Sequence, residues 1–319
     1  MDALSDVLRI VDLSGGVFID AELTDPWWIA GRVSPEACRP YMAPPAQVVA
    51  FHYVIEGGFE LRLPDEPPCQ AFAGEAIMMP RNDLHMFGTP GATAPPVGID
   101  KLIQPGDAHG VAKVVYGGGG TRTRLVCGFM GGNAQLRPLL ESLPAVMKID
   151  VADLPGGDWI GRTFTYAAQT LSDGDPGAAT VLAKLSELLF VESVRRYLAG
   201  LPDEQTGWLA GLRDPVIGRS LSLLHSRVSE PWTAEALAQE VNMSRSAFAD
   251  RFTAITGQPP MRYLTAWRMQ LARHYLAETR RTVAQIAFEV GYESEAAFSR
   301  AFRRECGHPP AAWRKLAVA

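Results

Sequence analysis

Cysteine is scarce in this chain: Cys38, Cys69, Cys127 and Cys306 are the only four in 319 residues, and none falls in a Cys-x-x-Cys pair. That spacing excludes a secreted disulfide framework and a zinc ribbon, and it points to a reduced compartment. Long apolar runs are also missing, and the start, Met1-Asp2-Ala3-Leu4-Ser5-Asp6, has no basic segment. A soluble cytoplasmic protein without a membrane span is therefore expected. With 47% apolar residues the composition is not that of a disordered chain, and the length suffices for two cores. Positive charge is short overall: 30 Lys+Arg against 35 Asp+Glu leave −5, unlike a uniformly basic nucleic-acid binder.

The charge is not evenly spread. From Arg213 onward there are 15 basic and 10 acidic residues, a balance of +5, while the remainder holds 15 and 25, a balance of −10. The basic segment also repeats itself. Leu237-Ala238-x-x-Val241-Asn242-Met243-Ser244 with Phe248, Phe252, Gly257, Pro260 and Tyr263 returns as Ile286-Ala287-x-x-Val290-Gly291-Tyr292-Glu293-Ser294 with Phe298, Phe302, Gly307, Pro310 and Trp313. Each copy reads as a short support helix, a turn and a second helix. Thr282-x-x-Gln285 is a capping box, Thr233, Ser244 and Ser294 are N-cap residues, and Gly291 supplies a turn. The paired phenylalanines anchor each second helix inward. They leave Ser246, Ala249, Asp250 and Thr253 outward in the first copy and Ala296, Ser299, Arg300 and Arg303 outward in the second. Between the copies, Tyr263, Leu264, Trp267, Leu271, Tyr275 and Leu276 predict one long helix over 261–277, roughly 25 Å in length.

This doubled pattern resembles the DNA-binding domain of the AraC/XylS family of bacterial transcription regulators. The resemblance rests on Ser244-Arg245-Ser246-Ala247-Phe248 with Gly257 and Pro260, and on Gly291-Tyr292-Glu293-Ser294, Ala297-Phe298-Ser299-Arg300-Ala301-Phe302, Gly307 and Pro309-Pro310. It implies two recognition helices on successive major-groove segments of double-stranded DNA, about one duplex turn of ~34 Å apart. The base-facing positions it implies are Ser246, Ala249 and Asp250, then Glu295, Ala296, Ser299 and Arg300. Ser244, Arg245, Ser294 and Arg303 complete the predicted DNA-binding residues. The first reader is not basic: Ala249 offers only apolar contact to a thymine methyl, and Asp250 repels phosphate unless it accepts from cytosine N4.

Upstream, alternation predicts short strands over 48–55, 59–63, 76–79, 85–87, 111–116 and 123–129, separated by Pro- and Gly-rich loops. On the first strand Phe51, Tyr53 and Ile55 share one face, and Ala50, His52 and Val54 the other. Many short strands with such turns predict a β-barrel or jelly roll. Gly74-Glu75-Ala76-Ile77-Met78-Met79-Pro80 followed by His85 is similar to the second cupin motif, with Asn82 standing where glycine is usual. The segment 1 to about 130 thus resembles the cupin-type sensor domain of a subset of AraC-family regulators. Phe51, His52, Tyr53, Met78, His85 and Cys127 are the expected effector-binding residues, with Met86 beside them. The metal-ligand positions of cupin enzymes fall here on Ala43, Pro45 and Ala50. His52 and His85, even with Cys127, are few for a closed metal site, so no metal or other cofactor is expected.

Two helices are predicted before the repeat, one over 159–171 and one from Pro176 to Gly200 carrying Val181, Leu182, Leu185, Leu188, Leu189, Val194 and Leu198. So much apolar surface needs partners, either the helix's own barrel or a second subunit. Gly117–Gly120 lacks the following Lys-Ser/Thr of a phosphate cradle, and Glu56 and Glu60 are solvated strand ends rather than an acid/base pair. The expected fold is α+β and multidomain: a cupin-like barrel with helical extension over 1–200, a linker over 201–212, and an all-α double helix-turn-helix over 213–319. The expected function is transcription regulation under a small-molecule effector, without enzymatic activity, as a homodimer working with RNA polymerase. The alternative is a cupin-type metalloenzyme fused to a DNA-targeting domain; an alkyl-transfer repair regulator lacks its zinc-cluster spacing.

Overall fold

The computed structural model describes residues 3–10, 13–38, 43–103, 111–133, 136–154, 157–172, 177–202 and 206–318. The chain divides into two compact units, Asp12–Tyr197 and Leu198–Ala319 joined by Met1–Val11. In the order of the chain, α1 (Ala3–Ile10) belongs to the second unit and packs against a helix there. The first unit contains β1 (Ser14–Thr24), β2 (Trp28–Gly31), β3 (Gln47–Glu56), β4 (Gly58–Arg62), β5 (Cys69–Phe72), β6 (Glu75–Met79), β7 (His85–Gly88), β8 (Val97–Gly98), β9 (Val111–Gly117) and β10 (Arg122–Gly132). These are followed by α2 (Arg137–Glu141), β11 (Met147–Asp150), α3 (Gly157–Ser172) and α4 (Ala178–Gly200).

Two sheets form the barrel. One has the order β11-β6-β3-β10-β1-β9 and the other β5-β4-β7-β2-β8, antiparallel except for β1 with β9 and β2 with β8. Each strand expected from alternation is present. β1 and β2 were not anticipated, because β1 interleaves Gly15, Gly16, Asp20 and Glu22 with its apolar residues. Asp20 is tolerated there because Arg124 of β10 reaches it with two hydrogen bonds, at 3.0 and 3.1 Å.

β3 is buried on both faces, from Val48 to Val54. Ala50 and Val54 join Ile19, Leu23, Phe59, Ile77, Phe87 and Leu125 in the core between the sheets. The other face of β3 meets helices. Tyr53 packs its ring 4.8 Å from that of Phe164 on α3, and Ser193 of α4 donates to the Met78 sulfur of β6 at 3.6 Å. Leu182, Leu185, Leu189, Phe190 and Val194 of α4 are buried as well, so most of the apolar stripe on this helix is spent within its own subunit. Asn82 adopts φ 50 where the cupin-like motif calls for a left-handed residue. Its amide also pairs with both the N–H and the C=O of Val33, at 3.1 and 2.6 Å, and so ties the loop before β7 to the end of β2.

The second unit contains α5 (Trp208–Arg213), α6 (Pro215–Ser226), α7 (Ala234–Glu240), α8 (Arg245–Thr256), α9 (Pro260–Glu278), α10 (Val283–Glu289), α11 (Glu295–Cys306) and α12 (Pro310–Val318). Residues 208–212, expected in the linker, are instead helical. α5 packs on α6 and α8, held by a hydrogen bond from the Trp208 indole to Tyr263 Oη at 2.8 Å. The Tyr263 hydroxyl is in turn hydrogen-bonded to His225 Nε2 at 2.7 Å, and His225 stacks on Trp267 with ring centroids 3.8 Å apart. Thr233, Ser244 and Ser294 cap α7, α8 and α11 by accepting the amides of Ala236, Ala247 and Ala297, and Thr282 with Gln285 forms a complete capping box. The one-residue difference between the repeats lies at the turn, where Asn242 at φ 56 and Gly291 at φ 82 both take the left-handed conformation. α9 spans about 28 Å and packs against α8, α10, α11 and α12, joining both helix pairs on one spine.

Because Phe164 is fully buried against the outer face of β3, Phe164→Ala should cost about 3–5 kcal/mol of the first unit's stability, measured by urea unfolding. A loss under about 1 kcal/mol would mean that the helices are not needed to cover the sheet.

Candidate nucleic-acid interface and barrel cavity

The four phenylalanines that anchor the second helix of each repeat, Phe248, Phe252, Phe298 and Phe302, are all 0% exposed. Their burial fixes the rotation of α8 and α11, and so decides which residues look outward. On α8 and its cap, Ser244, Arg245, Ser246 and Asp250 are exposed and Ala249 is half-buried; Thr253 turns its hydroxyl back to the Ala249 carbonyl at 2.7 Å. On α11 and its cap, Ser294, Glu295, Ala296, Arg300 and Arg303 are exposed and Ser299 is half-buried. Arg251 of α8 is not free for a ligand. It binds Asp214 at 2.6 Å, and that carboxylate also accepts the amides of Val216 and Ile217 to cap α6. Partial burial pushes the Asp214 carboxyl up, but these amides and Arg251 outweigh it and hold the group below its ordinary range. Among the described residues, no hydrogen bond or ion pair engages the side chains of Arg245, Arg300 or Arg303.

The barrel encloses a cavity of about 50 Å³. Its walls are mostly apolar, with Ile19, Ala21, Ile29, Ala50, Phe87 and Val114 among them; His52, His85 and Cys127 are the buried polar groups, and the exposed Arg32 also lines it. The structure therefore splits the six effector-binding residues expected from sequence. His52, His85 and Cys127 line the cavity, whereas Phe51, Tyr53 and Met78 lie on the opposite face of their strands, where Tyr53 meets Phe164 of α3, Met78 meets Ser193 of α4 and Phe51 meets Phe18 of β1. The physical reason is the two-residue period of a strand: Ala50 and His52 point inward, so Phe51 and Tyr53 cannot. Met86 is only half-buried, and Phe87 holds the inward place on β7. The walls supplied by β1 and β2 escaped sequence reasoning because those strands did. The run Phe18-Ile19-Asp20-Ala21-Glu22-Leu23, with its apolar residues at 19, 21 and 23, was the available signal.

The polar groups in the cavity form a chain. His52 Nδ1 lies 2.8 Å from Cys127 Sγ, His52 Nε2 lies 3.1 Å from His85 Nε2, and His85 Nδ1 lies 2.9 Å from the Asp83 carbonyl oxygen. A carbonyl can only accept, so His85 carries its proton on Nδ1 and offers a lone pair at Nε2. His52 must then donate from Nε2, and its Nδ1 accepts the Cys127 thiol proton. All three groups are neutral. Burial, and then the neighbouring His85, lower His52 well below the usual histidine value; burial also lowers His85, and burial pushes the Cys127 thiol upward. The set does not fit a closed metal site. The two nitrogens of His52 face different partners, and no group of three or more His, Cys, Asp or Glu among the described residues is arranged to hold a metal ion.

Residues 2–199 match the cupin family model and residues 237–316 the helix-turn-helix domain model. The chain is 35% identical to an AraC-like transcription regulator of Streptomyces lividans over 84% of its own length and 87% of the relative's. It is 31% identical to another from Streptomyces antibioticus over 99% of both chains. The chain belongs to the AraC-like transcription regulators. It is thus a DNA-binding transcription regulator whose helix-turn-helix pairs form the second unit. Among solved structures, the DNA-binding domain of the global transcriptional factor AdpA, in complex with a target DNA, is 31% identical to this regulator over 32% of its chain and 92% of the domain, with a TM-score of 0.31. No helix among the described residues of the regulator is long and apolar enough to cross a membrane.

The buried histidines give the regulator a pH dependence of defined sign. Both have folded-state pKa values below the ordinary 6.5, so the unfolded chain takes up protons first as pH falls. The stability they contribute is full above about pH 6.5 and is lost below it, by up to about 1.4 kcal/mol per pH unit for each histidine. Urea unfolding of the wild type should steepen below that pH, and His52→Gln should flatten the profile. Identical slopes in the two proteins would show that His52 is not held neutral.

Proposed function

We propose that this regulator binds its operator through the exposed faces of α8 and α11 under control of a small-molecule effector in the barrel. The observation that carries the reading is the pairing of buried and outward residues. Each reader helix buries two phenylalanines and turns a polar face outward, and the unpaired Arg300 on α11 is suited to bond guanine O6 and N7 or to clamp a phosphate. Ser244, Arg245, Ser246, Ala249 and Asp250 on the first reader, and Ser294, Glu295, Ala296, Ser299, Arg300 and Arg303 on the second, form the DNA surface. The barrel with α3 and α4 senses, and the helices from α5 onward read. The protein works in the cytoplasm, carries no enzymatic activity, and acts with RNA polymerase at its promoters. It does so as a homodimer, for which Trp159 and Tyr166 on α3 and Val181 and Leu188 on α4 are apolar side chains left exposed after the barrel is covered.

Arg300→Ala should weaken operator binding by about 1–3 kcal/mol, whereas Ala249→Ser should cost well under that. Mobility shift on a mapped operator measures both, and footprinting should show two protected major-groove segments per subunit on one face of the duplex. One protected segment together with unchanged Arg300→Ala affinity would overturn the assignment of the second reader.

A further inference from the structure

The chain of groups in the barrel sets a neutral thiol against a neutral imidazole beside a mostly apolar cavity. Cys127 donates its thiol proton to His52, and His52 is oriented by a hydrogen bond to His85, itself fixed by the Asp83 carbonyl. A thiol beside a base that a third group orients is the arrangement by which proteins make sulfur attack. Phe59 and Phe87 hold the His52 ring, with centroids 5.8 and 4.5 Å away, so the base keeps its direction. The other three cysteines have no imidazole partner among the described residues.

We propose that Cys127, with His52 as its base and His85 as the positioning residue, captures a small uncharged α,β-unsaturated carbonyl compound by conjugate addition. This rests on the effector reading above and names the chemical class of the effector. The mostly apolar walls, with the exposed Arg32 as their charged group, suit a small molecule with one polar carbonyl, and a cavity of about 50 Å³ suits one on the order of four heavy atoms. In the step, the Cys127 proton passes to His52 Nδ1 while the sulfur electron pair forms the S–C bond to the β-carbon. The carbon–carbon π pair becomes an enolate, and His52 returns the proton to the α-carbon. The net change is addition of S–H across C=C. No oxidant or reductant is consumed, and His52 ends neutral.

Full-length protein treated with acrolein near neutral pH tests this by intact mass and peptide mapping. Cys127, although buried, should be alkylated at least about tenfold faster than the half-exposed Cys69 and Cys306. His52→Gln, checked for unchanged folding, should slow the Cys127 reaction by about 100-fold. The pH profile reads the mechanism in the wild type without any substitution. The groups acting on the pair are His85 on β7 and Asp20 on β1, the latter already held by Arg124 on β10 at 3.0 Å, and the exposed Arg32 lines the same cavity. The rate at Cys127 should therefore stay flat from about pH 6 to about pH 8, while that of a free thiol climbs about tenfold per unit. Reaction at Cys69 and Cys306 ahead of Cys127, or a free-thiol slope at Cys127, overturns the proposal. Operator binding before and after alkylation, with Cys127→Ser as control, separates the two layers. An adduct that leaves DNA affinity unchanged keeps the reactive thiol and removes the effector reading; a DNA response to the compound without an adduct does the reverse.

Discussion

The first unit depends on one constraint, that strand β3 must be covered on both sides. A strand with Val48 through Val54 all buried cannot sit on a sheet with one wet face. The second sheet satisfies its inner side and creates the barrel. α3 and α4 satisfy its outer side and use most of their own apolar residues in doing so. Each further feature follows from that placement: Ala50 and His52 face the cavity, and Phe51 and Tyr53 face the other side, where Tyr53 meets α3.

The same logic of burial selects function in the helical unit. A reader helix has no intrinsic outward side; the phenylalanine pair assigns one. With Phe298 and Phe302 inward, Arg300 and Arg303 are left to solvent without partners, whereas Arg251 on the other reader is drawn to Asp214 and becomes part of the scaffold. Two helices of like sequence therefore offer unlike surfaces. The first is nearly neutral, and the second is basic along its exposed turns.

Inside the barrel, dryness rather than charge organises the chemistry. A polar group withdrawn from water must find a partner or cost a few kcal/mol. Three such groups solve the problem in series, with the Asp83 carbonyl as the fixed end that sets the tautomer of His85, then of His52, and hence the direction of the Cys127 proton. Neutrality and proton order are thus properties of the chain of bonds, not of any one residue.

The sequence by itself determined the doubled helix pair, its caps and its buried anchors. Those signals are local: Thr282 and Gln285 sit three residues apart, and Phe298 and Phe302 four, so one turn of helix brings them into register. The strands with clean alternation were legible for the same reason, as was the left-handed Asn82. Tertiary structure alone decided the rest. β1 carries the buried Asp20, which Arg124, 104 residues away, reaches with two hydrogen bonds. Residues 208–212 look like linker until Trp208 finds Tyr263. Alternation showed that Phe51 and His52 lie on opposite faces of β3 but not which face is the interior. That choice was made by what the other sheet and the two helices bring to each side, and it turned three of the six expected cavity residues outward.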